Sequence, residues 1–258
     1  MIKSRIGCLI IHGFDGTTLD VEPLSKYLQS KGFITFCPSL KCSMENRRVF
    51  PNANYKDWLE SAELGLYYLK SRCKDVVIIG LYMGALIALN FATRFKNIGV
   101  VTINAPIYHW DVKNMYYNIL LDFKRKNFTN VKRYVKLSTK ISIPELINFK
   151  LLIEKTKHIL EMVKTPVFIA QGLKDDTVNY KSAEYIYKKV SSNIKVLKYY
   201  EKINPDLFVY TDNNLLFEDV EKFIKQIIKR ENGVSNKFLP NYTYLDRIYN
   251  SLLKDVSW

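Results

Sequence analysis

The sequence contains no apolar run long enough to cross a membrane. No stretch approaches the roughly 18 consecutive apolar residues that a transmembrane helix needs. The first seven residues include basic side chains, but the apolar run that follows, Cys8–Ile11, is too short for the core of a signal peptide. We therefore expect a soluble, cytoplasmic protein without a transmembrane segment.

Cysteine is scarce and is poorly spaced for metal binding. The four cysteines form no C-x-x-C pair, and Cys8 and His12 have no second pair of ligands nearby. Cys8 and Cys37 lie in apolar, strand-like runs, which is typical of packed thiols. Because a glycine-rich phosphate loop is also missing, we expect no metal site and no cofactor.

Acidic residues are in the minority. The chain has 39 lysines and arginines against 25 aspartates and glutamates, which gives a formal net charge of +14 at pH 7. No nucleic-acid-binding motif accompanies this charge, so we expect no nucleic-acid partner and favour a generally basic surface. An anionic surface and an acidic protein stay open as partners of that surface.

Short apolar runs alternate with longer amphipathic segments along most of the chain. The runs predict strands at Ile6–Ile11, Ile34–Cys37, Val76–Ile79, Val100–Ile103, Pro166–Gln171 and Lys195–Tyr200. The amphipathic segments predict helices at Pro23–Lys31, Tyr55–Lys70, Gly84–Phe95, Ser182–Val190 and Phe217–Lys229. This alternation predicts an α/β fold with a mostly parallel central sheet and helices on both of its faces.

One long insertion interrupts this alternation. We predict a core formed by residues 1–107 and 165–230, an inserted cap at 108–164, and a docked, helical tail at 231–258. Between Tyr108 and Thr165 there are 12 lysines and arginines against 5 acidic residues. The run Lys124–Lys126 in this segment is expected to be a solvated face or a weak contact for an anionic surface. The cap aromatics are expected to form the core of the cap: Trp110, Tyr116, Tyr117, Phe123 and Phe128.

The segment Gly80-Leu81-Tyr82-Met83-Gly84 lies between a predicted strand and a predicted helix. This is the setting of a nucleophile elbow, in which small residues two positions before and after the nucleophile allow a tight turn. Tyr82 occupies the nucleophile position. The backbone N–H groups of Met83 and of Phe14, which lies in the loop after the first strand, are the candidate oxyanion-hole donors.

Several segments together resemble the carboxylesterase and monoacylglycerol lipase group of α/β-hydrolases. They are I-I-H-G-F-D-G-T, G-L-Y-M-G-A, Gln171–Val178, Tyr199–Glu201 and Glu218–Val220, in the family's order over about residues 5 to 230. The resemblance implies an α/β-hydrolase fold in which the cap covers an acyl-binding pocket. It also implies that His12 is a structural residue of its turn.

The same resemblance implies a catalytic triad in the order Ser, Asp, His, and two of its three positions are changed. Asp175 matches the acid, Tyr82 replaces the serine and Pro205 stands at the histidine position. The chain has three histidines, of which the last is His158, so no histidine follows Asp175. Asp175 is expected to cap its own turn or, as we favour, to accept a hydrogen bond from the Tyr82 hydroxyl.

These changes predict a pseudo-hydrolase that binds a small apolar or acyl ligand or a protein partner. Two alternatives stay open. One is an active carboxylic ester hydrolase with an unusual catalytic set, in which Tyr82 or a bound water acts with Asp175 or Asp206 as the base. The other is a scaffold that binds a partner through its basic cap. The sequence does not determine the oligomeric state or the residual hydrolytic activity.

Overall fold

A computed structural model describes most of the predicted core. The described residues are 6–14, 16–43, 46, 48–50, 52–108, 142–173, 175, 177–201, 203 and 214–231. Pro205 and Asp206, the cap aromatics, the run Lys124–Lys126, and the tail beyond residue 231 lie outside them. The division into core, cap and tail stays a prediction.

In the described part of the chain, six strands form one parallel sheet, which confirms the predicted α/β architecture. The strands are β1 (Ile6–Ile11), β2 (Ile34–Phe36), β3 (Asp75–Leu81), β4 (Gly99–Ile103), β5 (Val167–Gly172) and β6 (Lys195–Tyr200). Their order across the sheet is β2-β1-β3-β4-β5-β6. Because all strands run in the same direction, the loops after β1, β3, β4 and β5 meet at one edge, which we call the carboxyl edge. The opposite edge, where the strands begin, is the amino edge.

Six α-helices are described beside the sheet. They are α1 (Glu22–Ser30), α2 (Tyr55–Lys70), α3 (Met83–Arg94), α4 (Ile143–Ile159), α5 (Lys181–Lys189) and α6 (Asn214–Glu231). Local sequence explains where two of them begin. Asn54 and Asp57 form a capping box at the start of α2, and Ser142 and Glu145 form another at the start of α4.

The helices cover both faces of the sheet because successive strand residues point to opposite sides. In β3, Val76 and Ile78 belong to the apolar cluster under α2, α3, α4 and α5, whereas Val77 and Ile79 belong to the cluster under α1 and α6. Trp58 is fully buried in the first of these clusters. Burial on both faces explains why the strands read as continuous apolar runs.

Helix α4 lies within the predicted cap segment but packs on the core. Its buried residues Leu152 and Ile153 join the same apolar cluster as α2 and α3. The Nδ2 of Asn90, on α3, donates a hydrogen bond of 2.8 Å to the Oγ1 of Thr156. Apolar and polar contacts therefore hold α4, which lies in the predicted insertion, against α3. None of the helices in the described part of the chain is long and apolar enough to cross a membrane.

Candidate active site

The turn between β3 and α3 has the tight geometry expected of a nucleophile elbow. Tyr82 has φ 50° and ψ −116°, a strained backbone conformation that costs about 1–3 kcal/mol. A Cβ atom on Gly80 would lie 2.1 Å from the carbonyl oxygen of Gly84, and one on Gly84 would lie 2.2 Å from the carbonyl oxygen of Ile11. Gly80 is therefore required by the close packing within the turn itself, and Gly84 by the packing of the turn against the end of β1.

The structure brings Tyr82 and Asp175 together across 93 residues of sequence. The Tyr82 hydroxyl donates a hydrogen bond of 2.5 Å to Oδ2 of Asp175, which follows β5. In a Ser-His-Asp triad the imidazole bridges the nucleophile and the acid. Here the longer phenol side chain reaches the acid directly from the nucleophile position, without a base between them.

The carboxylate of Asp175 is almost fully buried and its oxygens are saturated with donors. Its exposed fraction is 2%. Oδ1 accepts hydrogen bonds from the backbone N–H of Thr177 at 2.8 Å, from the Thr177 hydroxyl at 2.7 Å and from the backbone N–H of Val178 at 2.9 Å. The structure thus has both expected roles of Asp175, since Oδ1 caps the turn while Oδ2 binds Tyr82.

Burial and hydrogen bonding act on the Asp175 carboxyl in opposite directions. Desolvation is the largest influence and raises the pKa of Asp175 above its ordinary value. The hydrogen bonds from Tyr82, Thr177 and Val178 lower the pKa and offset only part of this rise. Because the phenol donates to this carboxyl, ionising the phenol would replace a hydrogen bond by the contact of two anions.

Asn104 is a member of this site that sequence reasoning missed. Its Nδ2 lies 2.8 Å from the Tyr82 hydroxyl, 2.7 Å from Oδ2 of Asp175 and 3.0 Å from the carbonyl oxygen of Ile203. Its Oδ1 accepts a hydrogen bond of 2.7 Å from the backbone N–H of Gly172. The available signal was a polar residue directly after a buried strand, β4, at the edge where the elbow also lies.

The two predicted oxyanion-hole residues lie on neighbouring segments. Met83 is the first residue of α3, where backbone N–H groups have no partner within the helix. Phe14 lies in the loop after β1, and its ring packs on Trp58 and Phe149 with centroid separations of 5.4 and 5.8 Å. Close contact of Gly84 with the end of β1 brings the two segments together. Their role as oxyanion donors stays a prediction.

The two described histidines differ in their surroundings. His12 is fully buried, its Nδ1 lies 2.8 Å from the carbonyl oxygen of Gly13, and its Nε2 accepts a hydrogen bond of 3.3 Å from the backbone N–H of Leu40. These contacts give His12 the structural role that was expected. His158 lies exposed in the last turn of α4.

The part of the chain that the structure describes contains no cluster of His, Cys, Asp and Glu that could hold a metal ion. All four cysteines are free, and three of them, Cys8, Cys42 and Cys73, are buried. Burial raises the pKa of the Cys8 and Cys37 thiols, so both stay protonated at neutral pH. This agrees with their interpretation as packed thiols.

Two bacterial proteins are similar to this chain over most of its length. A carboxylesterase of Bacillus subtilis is 26% identical over 226 residues, which are 85% of this chain and 92% of that protein. A thermostable monoacylglycerol lipase of a Bacillus species, strain H-257, is 27% identical over 199 residues, or 74% of this chain and 78% of that protein. No family model matches the sequence.

Solved structures of lipolytic enzymes share the fold. One of the metagenome-derived lipolytic enzymes LipS and LipT superposes with a TM-score of 0.70 at 20% identity, covering 86% of this chain and 94% of that one. A monoglyceride lipase of Saccharomyces cerevisiae superposes with a TM-score of 0.59 at 18% identity, covering 86% and 87%. At these identities the similarity establishes the fold.

Proposed function

We propose that this chain, which has the fold of the solved lipolytic enzymes and is similar to a carboxylesterase and a monoacylglycerol lipase, is a pseudo-hydrolase of that type. In this proposal the chain keeps the fold, does not hydrolyse esters, and binds a small apolar or acyl ligand or a protein partner. The observation that carries the proposal is the hydrogen bond from the Tyr82 hydroxyl to Oδ2 of Asp175. It joins the nucleophile position to the acid position and leaves no place for a base between them.

The chemistry of a phenol supports the loss of hydrolysis. A hydroxyl nucleophile must give up its proton to a base, and an unperturbed tyrosine ionises near pH 10. Asp175 has both carboxylate oxygens occupied by donors of this chain, so it has no free lone pair aimed at an attacking water. Intact triads supply rate factors on the order of 10⁶, most of which disappears when one member is lost.

The names of the relatives suggest which ligands to test first. The names of the relatives denote enzymes that act on carboxylic esters and on monoacylglycerols, and this chain keeps the type of turn that presents the nucleophile in such enzymes. A fatty acid or monoacylglycerol is therefore the first small ligand to assay by isothermal titration calorimetry. A protein partner is the alternative occupant, and absence of heat with every acyl chain length would favour it.

Hydrolysis of a short-chain nitrophenyl ester tests the proposal directly. Highly purified wild-type protein and the Tyr82→Phe variant should both give rates equal to the buffer background, because neither contains an activated nucleophile. A wild-type rate that disappears in Tyr82→Phe would contradict the proposal. It would instead support an active ester hydrolase that uses the tyrosine hydroxyl.

Chemical rescue tests whether the phenol has taken the place of the missing base. In the Tyr82→Ser variant the ring is removed, which leaves a vacancy between Ser at the elbow and Oδ2 of Asp175. Added imidazole should occupy it and produce saturable ester hydrolysis. The double variant Tyr82→Ser/Asp175→Asn is the control, because it lacks the carboxylate that would orient imidazole. Equal rescue in both variants would mean that imidazole acts from bulk solvent and would contradict this interpretation.

A further inference from the structure

The outward face of α2 changes in character along the helix. Residues three or four positions apart share a helix face, and the first exposed positions of this face are charged, Lys56 and Glu60. Further along, the same face presents Leu64, Tyr67 and Tyr68, whose exposed fractions are 67%, 52% and 42%. A helix that covers a sheet normally keeps its outward face polar, so the second half of α2 departs from this pattern. We call Leu64, Tyr67 and Tyr68 the α2 stripe.

Two further aromatic rings extend the α2 stripe. The ring of Phe36, at the end of β2, has its centroid 4.7 Å from that of Tyr68, and the ring of Phe95, just after α3, has its centroid 6.1 Å from that of Tyr67. Both phenylalanines are half-buried. Adjacent exposed apolar side chains, in contrast to single ones, indicate a surface that binds another segment or molecule.

Polar groups beside the α2 stripe already have partners. The Tyr67 hydroxyl donates a hydrogen bond of 2.9 Å to Oε1 of Glu63. The guanidinium carbon of Arg72 lies 3.8 Å from the centroid of the Tyr68 ring, and Nη1 of Arg72 donates to the carbonyl oxygen of Tyr68 at 3.2 Å. The surface that stays exposed to water is therefore mainly apolar, and an apolar segment matches it better than a charged ligand does.

The described chain ends at the same edge of the sheet as α2. A Cβ on Gly99, the first residue of β4, would lie 2.4 Å from Cδ1 of Ile227, so this part of α6 lies at the amino edge. Helix α6 ends at Glu231, about 6 Å further along its axis. Helix α2 ends at Lys70, five positions before the start of β3 at Asp75. The segment that follows α6 therefore leaves the fold at the edge where the α2 stripe lies.

The segment 232–258, which lies outside the described residues, has the pattern of an amphipathic helix. Apolar residues recur there at spacings of three and four positions: Leu245, Ile248, Leu252 and Val256. This period predicts one apolar face, which needs a partner to leave water. The resemblance to esterases and lipases ends near residue 230, so the segment is an addition to that pattern.

The length of the segment is sufficient to reach the α2 stripe. Phe95, whose ring contacts that of Tyr67, precedes Gly99 by four positions, so the two Cα atoms are at most about 15 Å apart. Residues 232–244, which precede the predicted helix, span up to about 45 Å when extended. This length exceeds the distance from the end of α6 across the start of β4 to Tyr67.

We propose that the segment 232–258 docks its apolar face on the α2 stripe of the same molecule. The predicted helix covers Leu64 and Tyr67, and the residues before it cross the amino edge of the sheet. Seven residues of β3 separate this edge from the elbow at Tyr82. The proposal is therefore independent of the proposed loss of hydrolysis.

Hydrogen–deuterium exchange of the full chain, read by mass spectrometry, tests the proposal. We compare wild type with Leu64→Lys, which places a charge in the α2 stripe and keeps the helix because Glu60 lies one turn before it. Amides of residues 245–256 should exchange at least about tenfold faster in this variant, since the burial of one leucine side chain is lost. Leu19→Lys is the matched control, because Leu19 is also exposed, at 59%, but follows β1 at the carboxyl edge. It should exchange like wild type, and peptides of β3 should exchange alike in all three proteins.

Three results would overturn the proposal. Fast exchange of residues 245–256 in all three proteins would mean that the segment does not dock. Slow exchange in all three would mean that it docks on another surface. Slow exchange in wild type that becomes fast on dilution of the protein would mean that a second copy of the chain, and not the same molecule, covers the α2 stripe.

Discussion

The polar side chains at the two edges of the sheet differ in how far they are paired with one another. At the carboxyl edge, Tyr82, Asn104 and Asp175 bind one another and leave almost no group for a ligand. At the amino edge, Lys96 and Asp75 line a cavity without pairing with described residues. The polar side chains of the candidate active site are thus occupied by hydrogen bonds to one another, whereas Lys96 is exposed and Asp75 is half-buried at the amino edge.

At the carboxyl edge, the backbone of the elbow and the hydrogen bonds of its central side chain depend on different residues. The elbow keeps its strained backbone because Gly80 and Gly84 pack against main-chain atoms, and that packing does not depend on which side chain occupies position 82. The hydrogen bonds of position 82, in contrast, depend entirely on the side chain. The side chain at position 82 can therefore change without a change in the turn.

The largest expected loss of stability comes from substituting alanine for Gly84 at the carboxyl edge, and Gly99 at the amino edge is its comparison. In Gly84→Ala the new Cβ would lie 2.2 Å from the carbonyl oxygen of Ile11, a backbone atom that has no room to move. In Gly99→Ala, at the start of β4, it would lie 2.4 Å from Cδ1 of Ile227, the end of a flexible side chain. We expect urea unfolding to show a loss of roughly 3 kcal/mol or more for Gly84→Ala and about 1 kcal/mol for Gly99→Ala. Equal losses would contradict the rigid packing of the elbow.

The next largest loss of stability is expected for Asn104→Ala, and Asn97→Ala is its comparison. Asn104→Ala removes the acceptor of the Gly172 N–H and places alanine at φ 49°, so it should cost roughly 3 kcal/mol of unfolding free energy. Asn97→Ala removes one hydrogen bond and an unpaired acceptor, so it should cost about 1 kcal/mol or less. Urea unfolding measures both. A similar cost at the two positions would mean that Asn104 does not organise the carboxyl edge.

A smaller loss of stability is expected when a hydrogen bond from a tyrosine to a carboxylate is removed, and two such bonds are compared. Tyr82→Phe removes the donor to the buried Asp175 and should cost about 1–2 kcal/mol, because a partly unsatisfied charged acceptor remains. Tyr67→Phe removes a bond of 2.9 Å to Glu63 on the exposed side of α2 and should cost less than about 0.5 kcal/mol. Thermal or urea unfolding distinguishes the two. If Tyr82→Phe is neutral, the hydroxyl does not stabilise the closed site.

The smallest effect is the pH dependence that Asp175 adds to stability. Its pKa is raised in the folded protein, so the folded state keeps the proton to a higher pH than the unfolded chain does. Wild-type protein should therefore lose stability relative to Asp175→Asn as the pH rises from about 4, the ordinary carboxyl pKa, through the raised pKa. Unfolding free energies of both proteins across that range measure the difference. A difference that grows in favour of wild type would contradict the raised pKa.

Most of the sheet could be predicted from the sequence because buried strands have a local signature. β1 and β6 have the predicted bounds, and β3 extends the predicted Val76–Ile79 by one residue before it and two after it. The elbow glycines were also predictable, since their spacing around Tyr82 is a local pattern. The bond between Tyr82 and Asp175 followed from the resemblance, which assigns both residues to one site.

The role of Asn104 and the amino-edge cavity could not be predicted in this way. Asn104 acts through the register of β4 between β3 and β5, which no local pattern specifies. Lys70 and Lys96 come together only because α2 and α3 both end at the amino edge. The core packing of α4 was likewise hidden, because its buried positions Leu152 and Ile153 lie in a segment that reads as polar.

The hydrogen bond from Gly172 to Asn104 also supplies a natural probe of motion. The Gly172 N–H is held by Oδ1 of Asn104, and Nδ2 of the same amide holds Tyr82 and the carbonyl oxygen of Ile203. Exchange of this one amide hydrogen with deuterium therefore requires the junction of β3, β4 and β5 to open. Its exchange rate, read by NMR, reports how often the closed site becomes accessible to solvent.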